Sequence, residues 1–150
     1  LINVLRLKKK QTYISLSQGD NIKIIKCLKY FKSKKKLNLI YTYMSYNPED
    51  LDLNRMKYIK TKFKLPVGYG NHYQSTLPIY LSSFFNPSFY FIYIKHPKNK
   101  KISFPDNKHA FFTTELKKIC KNIKESIIMF QKKKFNNKIK IESISHEKKI

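Results

Sequence analysis

The sequence predicts an α/β fold in which about four βα units lay down a parallel β-sheet covered by helices. Three observations carry this. Short runs rich in β-branched and aromatic residues alternate four times with stretches whose apolar residues recur at helical spacing. The runs are apolar on both faces, as strands are when a layer covers each side. Turn and capping residues, Gln18-Gly19-Asp20, Pro48-Glu49-Asp50 and Asn86-Pro87, stand at the junctions.

At 150 residues the chain fits a single core. A hydrophobic share of 41%, with 11 Tyr and 11 Phe, is too rich for a disordered chain, although the net charge of +23 opposes compaction. Such a charge ordinarily points to nucleic acid or an anionic membrane. Here all but two of the 32 basic residues are Lys, the exceptions being Arg6 and Arg55, and they are spread along the whole chain. Base readout favours the planar fork of Arg, and the accompanying excess of Asn, Ile, Tyr and Phe matches A/T-rich coding. Compositional bias is therefore the favoured explanation, and nucleic acid is not the expected partner. Cys27 and Cys120 have no metal or redox spacing and read as reduced core residues of a cytoplasmic protein. The most apolar stretch, Ile79 to Ile94, is too short and too broken by Ser, Asn and Pro to span a bilayer. The chain begins with Leu1, which predicts a processed product or a piece of something longer.

Leu1 to Leu7 reads as the end of an element that starts upstream. Thr12 to Ser17 is a strand, followed by a tight turn ending in the N-cap Asp20, after which Ile24, Ile25, Leu28 and Phe31 line one face of a helix. The unit repeats with a strand over Leu37 to Met44 and a helix carrying Leu53, Met56, Ile59 and Phe63 behind the cap Asp52. Pro66 to Tyr69 is a third strand, and a third helix starts near Ser75 or Thr76, with Pro78 in its first turn, and stops at Asn86-Pro87. Ser88 to Lys95 is the fourth strand. A long loop leads to Thr113, which caps a last helix with Leu116, Ile119, Cys120, Ile123, Ile127 and Phe130 on one face. His109 and His146 fall in loop and tail and read as solvated. The organisation predicted is residues 1–131 as one domain and 132–150 as a basic linker or tail.

A closed barrel of TIM (β/α)8 type needs eight such units and about 250 residues, so the chain amounts to a partial barrel of about four. In parallel sheets, open or closed, chemistry gathers at the carboxyl ends of strands. Those ends are Ser17, Met44 to Tyr46, Gly70 to His72, and Lys95 with His96, and they share a rim. His72 and His96 become neighbours there, and imidazole is the commonest metal ligand. Two unrelated surface histidines is the competing reading of the same residues.

Several of these segments, taken in order, resemble the sialic acid synthases. Ser17-Gln18-Gly19 resembles the family's Ser-Thr-Gly; Pro48 to Met56 is similar to its Pro-x-Glu-Asp-Leu-x-Leu segment; Leu65 to His72 to its Gly-Tyr-Ser-Asp-His run. Lys95-His96 resembles its Glu-Lys-His, Pro105-Asp106 its Gly-Pro-Asp, Glu115-Leu116-Lys117 the start of its next helix, and Glu147-Lys148-Lys149 the exit from its barrel. The resemblance implies the carboxyl-side half of a synthase barrel. It also implies condensation of phosphoenolpyruvate with N-acetylmannosamine or its 6-phosphate, a transferase reaction of carbohydrate biosynthesis. By the same likeness His72 and His96 would bind a divalent metal, Mn2+ or Mg2+, while Ser17 would lie near the phosphoenolpyruvate phosphate and Asp106 near the sugar hydroxyls. A homodimer is also implied.

The chain departs from the pattern at four places. Gly70 and Asn71 replace the family's serine and aspartate, the latter a group that would orient the neighbouring histidine. Ile94 stands for the glutamate before Lys-His, and Met44 for a substrate-facing asparagine. Ile94 can neither donate nor accept a proton. An inactive relic of the family is thus a second expectation, and a Lys-rich polyanion-binding module a third.

Overall fold

The computed structural model describes residues 11–16, 21–31, 34–99 and 104–130. Ser17, the Gln18-Gly19-Asp20 turn, Leu1 to Leu7 and the 132–150 tail lie outside these.

The elements are β1 (Thr12–Ser15), α1 (Asn21–Lys29), β2 (Leu37–Thr42), α2 (Asn54–Phe63), β3 (Val67–Gly70), α3 (Leu77–Ser82), β4 (Tyr90–Phe91), β5 (Ile94–Lys95), β6 (Phe111–Phe112) and α4 (Leu116–Phe130). Strands β1 to β4 form one sheet in chain order, and every pairing is parallel. Sequential parallel strands joined through helices give the α/β architecture of a partial (β/α)8-type barrel.

Register sorts the side chains into two faces. Leu39 pairs with Val67 and Tyr41 with Tyr69, and these four join Ile24 and Leu28 of α1, Met56 and Ile59 of α2, Ile79 of α3 and Ile119 and Ile123 of α4 in one buried cluster. Each fully buried apolar side chain of this size contributes about 1.5–3 kcal/mol. The alternate residues Asn38, Ile40, Thr42, Gly68 and Gly70 therefore face the other way, into the barrel. That inner face is tightly filled. A Cβ at Gly68 would run into the Phe89 ring, and one at Gly70 into the Thr42 hydroxyl and the Ile40 methyl. Gly70 is thus required by packing, whatever else a serine there would supply.

Helix ends follow the expected chemistry with one exception. Asp52 Oδ1 accepts the Asn54 N–H (2.9 Å) ahead of α2, and Lys64 closes that helix in the left-handed region at φ 51°. Pro78 sits in the first turn of α3, and Asn86, at φ 50°, ends the 3-10 turn Ser83–Phe85 that follows. The exception is Thr113, which begins a 3-10 turn instead of capping; the Phe112 N–H is taken by the Glu115 carboxylate (2.8 Å).

The fourth strand is where the sequence expectation fails. Ser88 to Lys95 does not form one strand but two short ones serving different partners. Tyr90 and Phe91 pair with Tyr69 and Gly70 of β3, while Ile94 and Lys95 pair with Phe111 and Phe112 of β6. Gly70 is the last residue of β3, so the run beyond Phe91 overshoots its neighbour and finds its hydrogen bonds on the opposite side. Stagger of this kind accompanies the tilted strands of a barrel. The segment expected to be loop before Thr113 therefore contains β6.

Candidate functional site

His72 lies two residues beyond β3, on the same parity as Gly70, so the strand delivers it to the inner face. Asn71, of the opposite parity, is fully buried outward: Tyr69 donates its hydroxyl to Asn71 Oδ1 (3.3 Å), and Asn71 Nδ2 donates to the Tyr73 carbonyl (2.7 Å). An aspartate here would lose the second bond. Asn71 thus fixes the backbone that carries His72, in place of the orienting carboxylate the resemblance led us to expect.

Opposite His72 stands the turn 105–109. Lys95, the last residue of β5, donates its ammonium to the Asn107 carbonyl (2.8 Å) and to Asn107 Oδ1 (3.1 Å), drawing the turn back over the strand end. Within the turn the Asp106 carbonyl accepts from the N–H groups of His109 (3.3 Å) and Ala110 (3.1 Å), which sets the Asp106 and His109 side chains one helical turn apart on one side. Asp106 Oδ1 is 3.3 Å from His109 Nε2 and 3.8 Å from His72 Nε2. The two imidazoles lie 3.7 Å apart between centroids, tilted by 34°. Tyr46 covers both rings and shares a hydrogen bond with His109 Nδ1 (3.3 Å), and Tyr93 meets both edge-on.

Burial, and next the proximity of His72, hold the His109 pKa below its ordinary value, against the opposing pull of Asp106. Burial, helped by Asp106, pushes the Tyr93 hydroxyl up.

His72 Nδ1 and His109 Nε2 are buried without a hydrogen-bond partner. His109 Nε2 is close to Asp106 Oδ1 without the alignment of a hydrogen bond, so proximity leaves it unsatisfied. The orphaned His109 Nε2 and the His72 Nε2 flank one carboxylate oxygen, and one donor atom from each of the three residues lies within 4.8 Å of the others, a set that fits a divalent cation.

Of the residues singled out in the sequence, His72 and Asp106 are brought together. His96 is exposed, outside this group, with its Nδ1 accepting the Lys98 N–H (3.2 Å). Ser17 lies outside the described residues. His109 corrects the reading: it is only 1% exposed, the most buried of the described histidines. The signal was Asp106 three residues before His109 behind Pro105, a turn that stacks the two side chains; the fold-back imposed by Lys95 carried no sequence signature. Cys120 is also corrected, being exposed on α4, with Cys27 intermediate.

No family model matches the chain, and no curated protein matches it significantly. Among solved structures it superposes on the N-acetylneuraminic acid (sialic acid) synthetase of Leptospira borgpetersenii serovar Hardjo-bovis, crystallised in complex with citrate, with a TM-score of 0.73 at 18% identity. The chain has the fold of part of that synthetase. The match covers 85% of this chain and 45% of the synthetase chain, so it spans less than half of the synthetase's length. Among the described residues no helix is long and apolar enough to cross a membrane.

Proposed function

We propose that this chain is a divergent sialic acid synthase-like half barrel whose inner rim binds a divalent cation and serves the condensation of phosphoenolpyruvate with N-acetylmannosamine or its 6-phosphate. The observation that carries this is His72, whose Nε2 lies 3.8 Å from an Asp106 oxygen that also has the buried, unpartnered His109 Nε2 at 3.3 Å, in a chain that superposes on part of a sialic acid synthetase. His72 would hold the ion with Asp106 beside it and a second imidazole completing the set. A divalent ion bound there supplies Lewis acidity toward a carbonyl oxygen.

The chain's own residues do the rest. Tyr46 and Tyr93 wall the imidazoles and keep bulk water from them. Asp106, with its side chain 38% exposed, is the anionic group open to an entering sugar hydroxyl. Lys95 holds the turn that carries Asp106 in place.

One observation favours a second reading, that of a relic retaining the metal site without turnover. Ile94 is 50% exposed at the start of β5, an apolar group where the resemblance places a glutamate. A single assay separates the two. The purified protein is incubated with Mn2+, phosphoenolpyruvate and either N-acetylmannosamine or its 6-phosphate, and inorganic phosphate is measured. Release that requires both substrates supports the synthase; no release from protein that still binds Mn2+ leaves the relic.

A further inference from the structure

Resting on the cation-binding part of that reading, we infer that the ion is held by His72, Asp106 and His109, that His96 is not a ligand, and that this set selects a first-row transition ion over Mg2+. Of the three described histidines, only His72 and His109 face a common carboxylate oxygen, at 3.8 Å and 3.3 Å. Ligand atoms at adjacent corners around an ion with bonds of about 2.1 Å are about 3 Å apart, so closure requires only a small inward shift of His72.

The hydrogen bonds point the same way. His109 Nε2 is buried, unpartnered and 3.3 Å from Asp106 Oδ1, while its other nitrogen is engaged by the Tyr46 hydroxyl. One free nitrogen and one held nitrogen is how a protein orients a ligating imidazole. His96 differs in exposure and tautomer: it is exposed, and because its Nδ1 accepts the backbone N–H of Lys98, Nε2 carries the ring proton of the neutral imidazole and has no lone pair for an ion. Asp106 is the open side of the site, and its partial exposure leaves ion positions for water or a substrate oxygen. Two imidazoles and one carboxylate suit Mn2+, Fe2+, Co2+ or Zn2+, whereas Mg2+ prefers oxygen ligands and retains its waters.

The test is calorimetric and spectroscopic. Chelator-treated protein is titrated with Mn2+, the bound ion is followed by electron paramagnetic resonance, and Mg2+ and Zn2+ are added as competitors. Wild type is compared with His109→Ala, Asp106→Asn and His96→Ala, with circular dichroism confirming the fold. Asp106→Asn is near-isosteric and partly exposed, so it remains informative where the buried His109→Ala fails to fold. Expected are losses of about tenfold or more in Mn2+ affinity for His109→Ala and Asp106→Asn, unchanged affinity for His96→Ala, displacement by Zn2+ and none by Mg2+. Loss in His96→Ala with retention in Asp106→Asn would overturn the inference and leave the proposed function standing. The expected pattern in a protein that releases no phosphate would sustain the inference and sink the condensation.

Discussion

The imidazoles of His72 and His109 lie 3.7 Å apart between centroids, with Asp106 Oδ1 within reach of both Nε2 atoms. Two charged rings at that separation would repel strongly in so buried a place, and burial already favours neutral His109. Both rings are buried, Tyr46 and Tyr93 lie against them, and Asp106 beside them is partly exposed. It is an arrangement suited to a cation, and it comes from two loops that meet only when the barrel wall curves.

Gly70→Ser installs the residue type that the resemblance to the sialic acid synthases places at this position. It should destabilise the fold by about 1–3 kcal/mol, because the new side chain collides with Thr42 and Ile40 on the inner face. Adding Thr42→Ala should recover part of that loss. Urea unfolding of the two single variants and the double variant measures the coupling, and strict additivity would show that Thr42 is not the obstacle.

Ile94→Glu should be well tolerated, within about 0.5 kcal/mol, since the side chain is half exposed. Where the missing glutamate is what limits turnover, phosphate release should rise about 100-fold, the ordinary scale of acid–base assistance. An unchanged rate in a protein that still binds Mn2+ would show that residue 94 is not the limiting defect.

Lys95→Met removes the two bonds that tie the turn 105–109 to β5. Stability should fall by about 1–2 kcal/mol, and Mn2+ affinity should fall with it as Asp106 and His109 lose their position. Denaturant titration and calorimetry read the two effects. A stable variant with full Mn2+ affinity would mean the turn holds itself.

Alkaline pH should unfold the protein through its buried tyrosines. Burial, and next the Asp52 carboxylate, push the Tyr41 hydroxyl up to about 12, and burial raises Tyr69 further. The unfolded chain releases these protons near pH 10, so the folded state binds more protons above that pH and loses stability as pH rises. The stabilisation is intact below pH 10 and is lost for Tyr41 between 10 and about 12. Tyrosinate absorbance measured alongside circular dichroism should show ionisation and unfolding together; ionisation of these groups ahead of unfolding would contradict their burial.

Much of the fold is legible in the sequence. The alternation of apolar runs with amphipathic stripes places β1 to β3 and the last three helices within a few residues, because helical periodicity and strand hydrophobicity are local properties that burial only reinforces. Asp52, Pro78 and Asn86 mark boundaries for the same local reason. Placing the strand ends on one rim singles out His72, and the resemblance alone singles out Asp106; the structure sets their side chains 3.8 Å apart.

What only the tertiary structure decides is where a chain turns when two local choices are equally good. Ser88 to Lys95 reads as one strand, but β3 stops at Gly70, and the unpaired remainder bonds to Phe111 and Phe112 instead. That second pairing and the hold of Lys95 on Asn107 fold the following turn over the rim and bury His109 against His72. Gly70 likewise reads as a lost serine until Thr42 is seen occupying its space. Sequence by itself determines which residues prefer strand, helix or turn. Strand stagger and side-chain volume, properties of neighbours distant in the chain, determine which histidine meets the carboxylate.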